Sequence, residues 1–367
     1  MKVAITHDWL VSRGGAERVL EALLEVFPEA DVFTSVLDRN GLPPAFDRTN
    51  IKSSFIQNLP NATKKYRSYL GLMPAAFRSF DLKGCDVVIS NSHACAKDIR
   101  VPSGAKHICY CLTPMRYIWD MYGEYMRMER PGLLVRAAAP LALPYLRYRD
   151  VLSSRTVDAF AAISGFVSQR IQKYYGREST VIYPPVDTGK FRIAEKTEDF
   201  YLVVSRLVPQ KRTRTIIDAF NGLGRPLKII GTGREEEELK SAAGPNIEFL
   251  GFRPDEETAG LMSRCRALVF ASLEDFGIVP VEAMACGRPV IAYGAGGVLD
   301  TVVPGQTGVF FPEQTSSSIA QAVLKFEKME FDPIHIKRSA EKFGKELFKQ
   351  NIKRFVLESA PAPEKRV

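Results

Sequence analysis

Short apolar runs alternate with longer amphipathic segments along most of the chain. "KVAITHD" (residues 2–8) reads as a buried strand and "GGAERVLEALLEVFP" (14–28) as a helix. "DVFTSVL", "DVVISNS", "KHICYCL" and "AFAAIS" read as further buried strands. After Val186 the pattern restarts: strand "FYLVVSR" and helix "TRTIIDAFNGL", strand "PLKIIGTG" and helix "REEEELKSAA", then "IEFLGF", "ALVFASL" and "PVIAYG". Strands alternating with helices predict a parallel sheet covered on both faces, and two such series predict two doubly wound α/β domains. The expected joint is "VIYPPVDTGKF" (181–191), where two prolines and a glycine interrupt both periods. The expected division is 1–186, 187–345, and a helix over 346–367 returning to the first domain. Sheets of this kind bind ligands beyond the carboxyl ends of their strands, so the expected site is a cleft between the domains.

Composition changes this picture little. Apolar residues at 46% and charged residues at 25% suit an ordinary globular enzyme. The opening "MKVAITHDWL" has too short an apolar run for a secretory leader, and no stretch of about 18 apolar residues is present to span a bilayer. The six cysteines include no CxxC pair and read as reduced thiols, not disulfides or a zinc site. Charge is more informative. Of the net +8, residues 1–190 hold 25 Lys and Arg against 18 Asp and Glu, and the remainder 25 against 24. A basic first half suits nucleic acid, an anionic membrane surface or a phosphorylated substrate, and is equally compatible with a solvated basic surface.

Four stretches carry candidate chemistry. Gly14 and Gly15 lie between the first strand and its helix, where amides can meet a phosphate or simply make a tight turn. Gly231 and Gly233 occupy a similar place, but the glutamates that follow would repel a diphosphate, so that loop reads as structural. In "SRLVPQKR" (205–212), Arg206 and Lys211 fall at the carboxyl end of a strand. There they could clamp a diphosphate or be ordinary loop charges. "LEDFGIVPVEAMACGRPVIAYGAGG" (273–297) offers Glu274 before a helix and Glu282 within it, with amides around Phe276, Gly277 and Ile278 between them. Carboxylates accept from sugar hydroxyls and amides donate to them. The plain alternative is that Glu282 complements the helix dipole.

Glu274 and Glu282 with the residues between them resemble the E-x7-E signature of the retaining, nucleotide-sugar-dependent glycosyltransferases of family four, whose fold is GT-B: two Rossmann-like domains facing across a cleft. "SRLVPQKR" resembles that family's diphosphate clamp and "GGAER" its glycine-rich loop. "HDWLVSRGGAERVLEAL", "CYCLTPMRYIWDMYGEY", "ISGFVSQRIQKYYGR" and "VIYPPVD" are similar to a bacterial mannosyltransferase-like subgroup of surface polysaccharide synthesis. The resemblance implies that Glu274 contacts the transferred sugar and that Phe276, Gly277 and Ile278 donate from their backbones. Glu282 would bind ribose, Arg206 and Lys211 the diphosphate, Gly15 would lie under the phosphates, and Phe252 and Arg253 would pack the base. It implies a metal-independent transfer with retention and no cofactor beyond the donor, expected to be GDP-mannose. The chain departs from the subgroup at Leu112, where a His is usual. His93 could supply a similar contact or be a hydrogen-bonded loop histidine, and Leu112 could line the cleft or belong to the core.

Two segments hint at the acceptor. "NATKKYRSYLGLMPAAFRSF" interleaves Lys64, Lys65, Arg67 and Arg78 with aromatic and apolar residues, and "RPGLLVRAAAPLALPYLRYR" does so with Arg130, Arg136, Arg147 and Arg149. This composition suits an anionic membrane surface or a basic helix packed on the core. It could also stack on single-stranded nucleic acid, but no nucleic-acid-binding pattern accompanies it. The expectation is a cytoplasmic enzyme peripheral to the inner face of a bacterial membrane, transferring a hexose to a lipid-linked saccharide and binding no nucleic acid. A catalytically inactive sugar-nucleotide-binding subunit and a basic nucleic-acid-binding protein are the alternatives.

Overall fold

The computed structural model describes residues 1–12, 14–123 and 133–359. Of these, Gly41, Ala45, residues 133–139 and Leu141 are described by backbone alone. The chain divides into two compact units, Met1–Pro185 together with the chain from Glu346 on, and Val186–Lys345.

The first unit is built on a parallel sheet of β1 (Val3–His7), β2 (Asp31–Thr34), β3 (Ile51–Ser53), β4 (Val87–Ser92), β5 (Lys106–Cys111), β6 (Ala159–Ala162) and β7 (Thr180–Val181), in the order β3-β2-β1-β4-β5-β6-β7. The central strands β1 and β4 are buried along their whole length. That is why they read as continuous apolar runs and not as an alternation. The carboxyl-terminal helix Lys345–Ser359 packs on this unit through Phe348, Ile352 and Val356. The Phe348 ring meets Tyr110 edge-on at 5.5 Å, and Lys349 reaches Glu25 at 3.2 Å.

The second unit holds β8 (Tyr201–Val204), β9 (Leu227–Ile230), β10 (Ile247–Gly251), β11 (Leu268–Phe270), β12 (Val290–Tyr293) and β13 (Gly308–Phe311), parallel, in the order β10-β9-β8-β11-β12-β13. Its core gathers Tyr201, Val203, Ile216, Phe220, Ile229, Val269, Ile291 and Phe311. The two ends of the unit lie side by side: the Val186 amide donates to the Phe343 carbonyl, and the Lys345 amide returns to Val186, each at 3.0 Å.

Both sheets therefore share one doubly wound, Rossmann-like order, each running outward from a pair of central strands on which the order reverses. Those pairs are β1/β4 and β8/β11. Among the described residues no helix is long and apolar enough to cross a membrane, and all six cysteines are reduced thiols.

Candidate active site

In the second unit two loops leave the carboxyl ends of β8 and β11. The first, residues 205–212, ends in a 3-10 turn at Pro209–Lys211, followed by Arg212 at φ 57°. A non-glycine residue in that left-handed region is uncommon and costs roughly 1–3 kcal/mol. From it the helix Thr213–Leu223 starts. The turn leaves the Lys211 ammonium paired with the Glu274 carboxylate of the second loop, and the Ser272 hydroxyl donates to the same carboxylate oxygen at 3.0 Å. Lys211 and Glu274 remain 21% and 27% exposed, within reach of a ligand. The resemblance assigns Glu274 to the transferred sugar and Lys211 to the diphosphate next to it; the structure brings the two side chains into direct contact. Arg206 is exposed on the first loop, with no ion-pair partner among the described residues.

Close-packed glycines brace both loops. A Cβ on Gly231 would sit 1.8 Å from the Ser205 carbonyl oxygen, and one on Gly233 2.2 Å from that of Leu207. The glycines after β9 thus let that loop lie directly against the backbone of the first loop. Sequence reasoning missed the equivalent support beneath the second loop. The Gly297 amide donates to the Glu274 carbonyl at 2.9 Å, and a Cβ there would sit 2.2 Å from the Asp275 carbonyl oxygen. The "GAGG" run was visible in the sequence, but not which backbone it lies against.

Phe276 is buried and meets Phe343 edge-on at 5.5 Å, so only its backbone can face a ligand. Gly277, at φ 88°, caps the helix Ile278–Ala285. The first amides of a helix have no acceptor within it and attract negative charge. Glu282 is the fifth residue of that helix and half-buried, and no acidic residue lies in the first turn. This corrects the reading that set Glu282 beside the helix start to complement its dipole, an effect that fades within one turn. Beyond β10, Phe252 is 74% exposed, directly after Gly251 at φ 67°.

The first unit carries a different arrangement beyond β1 and β4. The Asp8 carboxylate is fully buried and accepts four backbone N–H bonds, from His93 (2.7 Å), Ala94 (2.9 Å), Cys95 (2.6 Å) and Ala96 (2.7 Å). His93 Nδ1 lies 3.1 Å from Asp8 Oδ2, a distance at which a protonated ring would be attracted, but it is not aligned for a hydrogen bond. Its ring stands edge-on to Trp9 at 4.6 Å. Burial lowers the His93 pKa, outweighing the pull of Asp8, and keeps the ring neutral near pH 7.

Gly15 opens the helix Gly15–Val26. Below it lies a buried cluster: His7 Nε2 is 3.6 Å from Glu17, and its Nδ1 is 3.0 Å from Asn91 Nδ2, which also donates to the Ala16 carbonyl. Burial works to raise the Glu17 carboxyl, but His7 outweighs it and holds it below the usual range. A Cβ on Gly14 would sit 3.0 Å from this carboxylate. Leu112, just past β5, is 8% exposed, and its amide donates to the Ser92 carbonyl.

Of the basic segments, part turns out to be core. Met73 and Phe77 are fully buried, while Lys64, Lys65 and Arg67 are exposed. Arg147 donates to the Ile118 carbonyl at 2.7 Å, and Arg149 grips Asp98. Arg130 and the Arg136 side chain lie outside the described residues. No group of three or more His, Cys, Asp or Glu among the described residues is placed to hold a metal ion.

Known proteins match this architecture. Residues 13–190 match the family model described as Glycosyltransferase Family 4, and residues 187–348 that described as Glycosyl transferases group 1. An uncharacterized glycosyltransferase of Methanocaldococcus jannaschii is 28% identical over 209 residues, 56% of this chain and 58% of the relative. The GDP-mannose-dependent monoacylated alpha-(1-6)-phosphatidylinositol monomannoside mannosyltransferase of Corynebacterium glutamicum is 31% identical over 182 residues, 40% and 47% of the two chains. The chain spans about half the length of these curated relatives. Among solved structures, Anabaena HepE in complex with UDP and glucose superposes with a TM-score of 0.70 at 18% identity, covering 97% of this chain and 99% of that one. This supports the GT-B fold.

Proposed function

The chain belongs to the glycosyltransferases, with a family-four domain followed by a group-1 domain, and we propose that it transfers a hexose, mannose from GDP-mannose, to a lipid-linked saccharide with retention of configuration. The observation that carries this reading is the Lys211–Glu274 pair beside the start of the helix Ile278–Ala285, at the central strand pair of the second sheet. Cation, carboxylate and helix amides together match a donor with a diphosphate flanked by two polyols. The donor named in the Corynebacterium relative, GDP-mannose, supports mannose; the UDP bound by HepE supports a nucleoside diphosphate in general.

In this reading Lys211 turns from Glu274 to the diphosphate, joined by Arg206 and by the Gly277 and Ile278 amides. Glu274, relieved of its lysine, accepts from a hexose hydroxyl. Glu282 accepts from the ribose, and the exposed Phe252 ring stacks on the base. The bond from sugar C1 to the diphosphate oxygen breaks, the acceptor oxygen bonds C1 on the same face, and the acceptor's proton leaves with the diphosphate. The cations and amides stabilise the charge that develops on the leaving group. His93, neutral near pH 7, is proposed to contact a sugar hydroxyl, and Gly15 to lie under the phosphates. The acceptor and a place at the inner face of a bacterial membrane, in lipopolysaccharide or exopolysaccharide synthesis, complete the proposal.

A thermal-shift screen of nucleotide sugars tests it. GDP-mannose at 100 times its dissociation constant is expected to add about 2.7 kcal/mol of stability. A shift with a UDP-sugar instead would overturn the donor and keep the transfer; no shift with any nucleotide sugar would overturn both.

A further inference from the structure

A groove on the first unit gathers three arginines that the proposed donor chemistry does not use. Arg78 ends the helix Met73–Arg78, Arg100 follows the loop beyond β4, and Tyr145, Tyr148 and Arg149 share one face of the helix Leu133–Ser154. The buried Asp98 sits behind them. Arg149 Nε and Nη2 donate to its Oδ2 at 3.0 and 2.6 Å, while Arg78 Nη1 approaches Oδ1 at 3.7 Å. This hydrogen-bonded pairing raises the Arg149 pKa further. One carboxylate thus orients two guanidinium groups and neutralises only one of them. Arg100 is exposed, with no ion-pair partner among the described residues. Tyr145 and Tyr148 are 46% and 64% exposed, unusual for rings of this size, and bring two hydroxyl donors to the same groove.

Guanidinium forks match the oxygens of a phosphate as well as those of a carboxylate. Three arginines line this groove with one buried acid behind them, which leaves cationic donors for an anion of more than one charge. We propose that this groove is a binding site for a phosphate ester, with Arg78, Arg100 and Arg149 on its oxygens and the tyrosine hydroxyls as further donors. The shared chemistry is a phosphate monoester or diphosphate, carried by a lipid headgroup or by a soluble molecule. The proposal is independent of the donor reading, because none of its residues belongs to the second unit.

Two probes distinguish the sources. Pyrophosphate is titrated calorimetrically in a Lys211→Ala background, which removes the cation proposed to bind a donor diphosphate. Vesicles of phosphatidylcholine with or without phosphatidic acid are used in co-sedimentation. Each is repeated with Arg100→Gln, which breaks no ion pair among the described residues, and with Lys52→Gln, which removes one charge outside the groove together with its pairing to Asp31. Arg100→Gln is expected to weaken binding of at least one probe about tenfold, equivalent to about 1.4 kcal/mol, with Lys52→Gln at the wild-type value. A loss for pyrophosphate alone identifies a soluble ester, and a loss for vesicles identifies a headgroup. The proposal is overturned if neither probe binds, or if Arg100→Gln and Lys52→Gln act alike. Thermal shift by nucleotide sugar should be unchanged in Arg100→Gln, so failure here and failure of the donor reading remain separable.

Discussion

The two sheets have the same strand order, and each places a carboxylate beyond its central strand pair, but the two carboxylates are satisfied in opposite ways. Asp8 in the first unit is fully buried and takes four amides of the loop that faces it. Glu274 in the second is 27% exposed and held by a lysine and a serine hydroxyl, both on side chains that can move. Amides committed to the protein's own anion are not available to a ligand's. An ammonium paired with a carboxylate that keeps about a quarter of its surface in water can change partner more readily than four backbone amides fixed on a fully buried acid. The region beyond the central strand pair thus serves as a structural lock in one unit and as a candidate binding site in the other. The carboxylate is carried just past the first strand of the pair in one (β1) and past the second in the other (β11).

The strongest test of that contrast is Asp8→Ala. Several buried N–H groups lose their acceptor at about 1–3 kcal/mol each, partly recovered by water, so unfolding free energy should fall by about 3–5 kcal/mol. Both tryptophans, Trp9 and Trp119, belong to the first unit, so their fluorescence in denaturant reports this unit. A change below about 1 kcal/mol would mean that Asp8 is no lock.

Lys211→Ala should do the reverse. With a donor established, transfer should slow by roughly 100–1,000-fold, as for loss of one preorganised transition-state contact. Stability should fall by less than in Asp8→Ala, because the carboxylate left behind is in part reached by water. Unaltered kcat/KM would remove Lys211 from the site.

Acid should also separate the units. Burial lowers the His107 pKa to about 4, and its Nε2 lies 2.7 Å from the Ser90 hydroxyl. Because the folded value lies below the ordinary 6.5, the unfolded chain takes up the proton first. Stability from this group is therefore complete above pH 6.5 and declines as pH falls toward 4. By pH 5 the loss should be about 2 kcal/mol. Tryptophan-detected unfolding at pH 7 and pH 5 should show it, and His107→Gln should flatten the difference; an equal slope in both proteins would reject His107 as the source.

The smallest effect is expected from Glu282→Ala. A ribose contact is the same before and during reaction, so KM should rise about tenfold with kcat unchanged. A fall in kcat at constant KM would place Glu282 at the reacting sugar instead.

The central strands were legible from sequence because burial on both faces writes itself as an apolar run: β1, β4, β5, β8 and β12 all lie within runs singled out for it. The helix "TRTIIDAFNGL" was placed at Thr213–Leu223, where its apolar period holds throughout. Edge strands β3 and β7 were missed because they are short and partly or wholly exposed. β13 was missed because it begins on Gly308, where a Cβ would sit 2.1 Å from the Val290 carbonyl oxygen, a constraint invisible without the neighbour.

The chemistry divides along the same line. Residue type and spacing determined which loops hold cations and carboxylates, and that glycines surround them, because strand–loop–helix order fixes which residues reach a strand's carboxyl end. Only the tertiary structure decided which partner each group meets: Lys211 on Glu274, Gly297 beneath Asp275, Arg149 on Asp98, and four amides on Asp8. Those partners are separated by tens of residues in sequence, and burial and pairing are set by distances in space that local patterning does not encode.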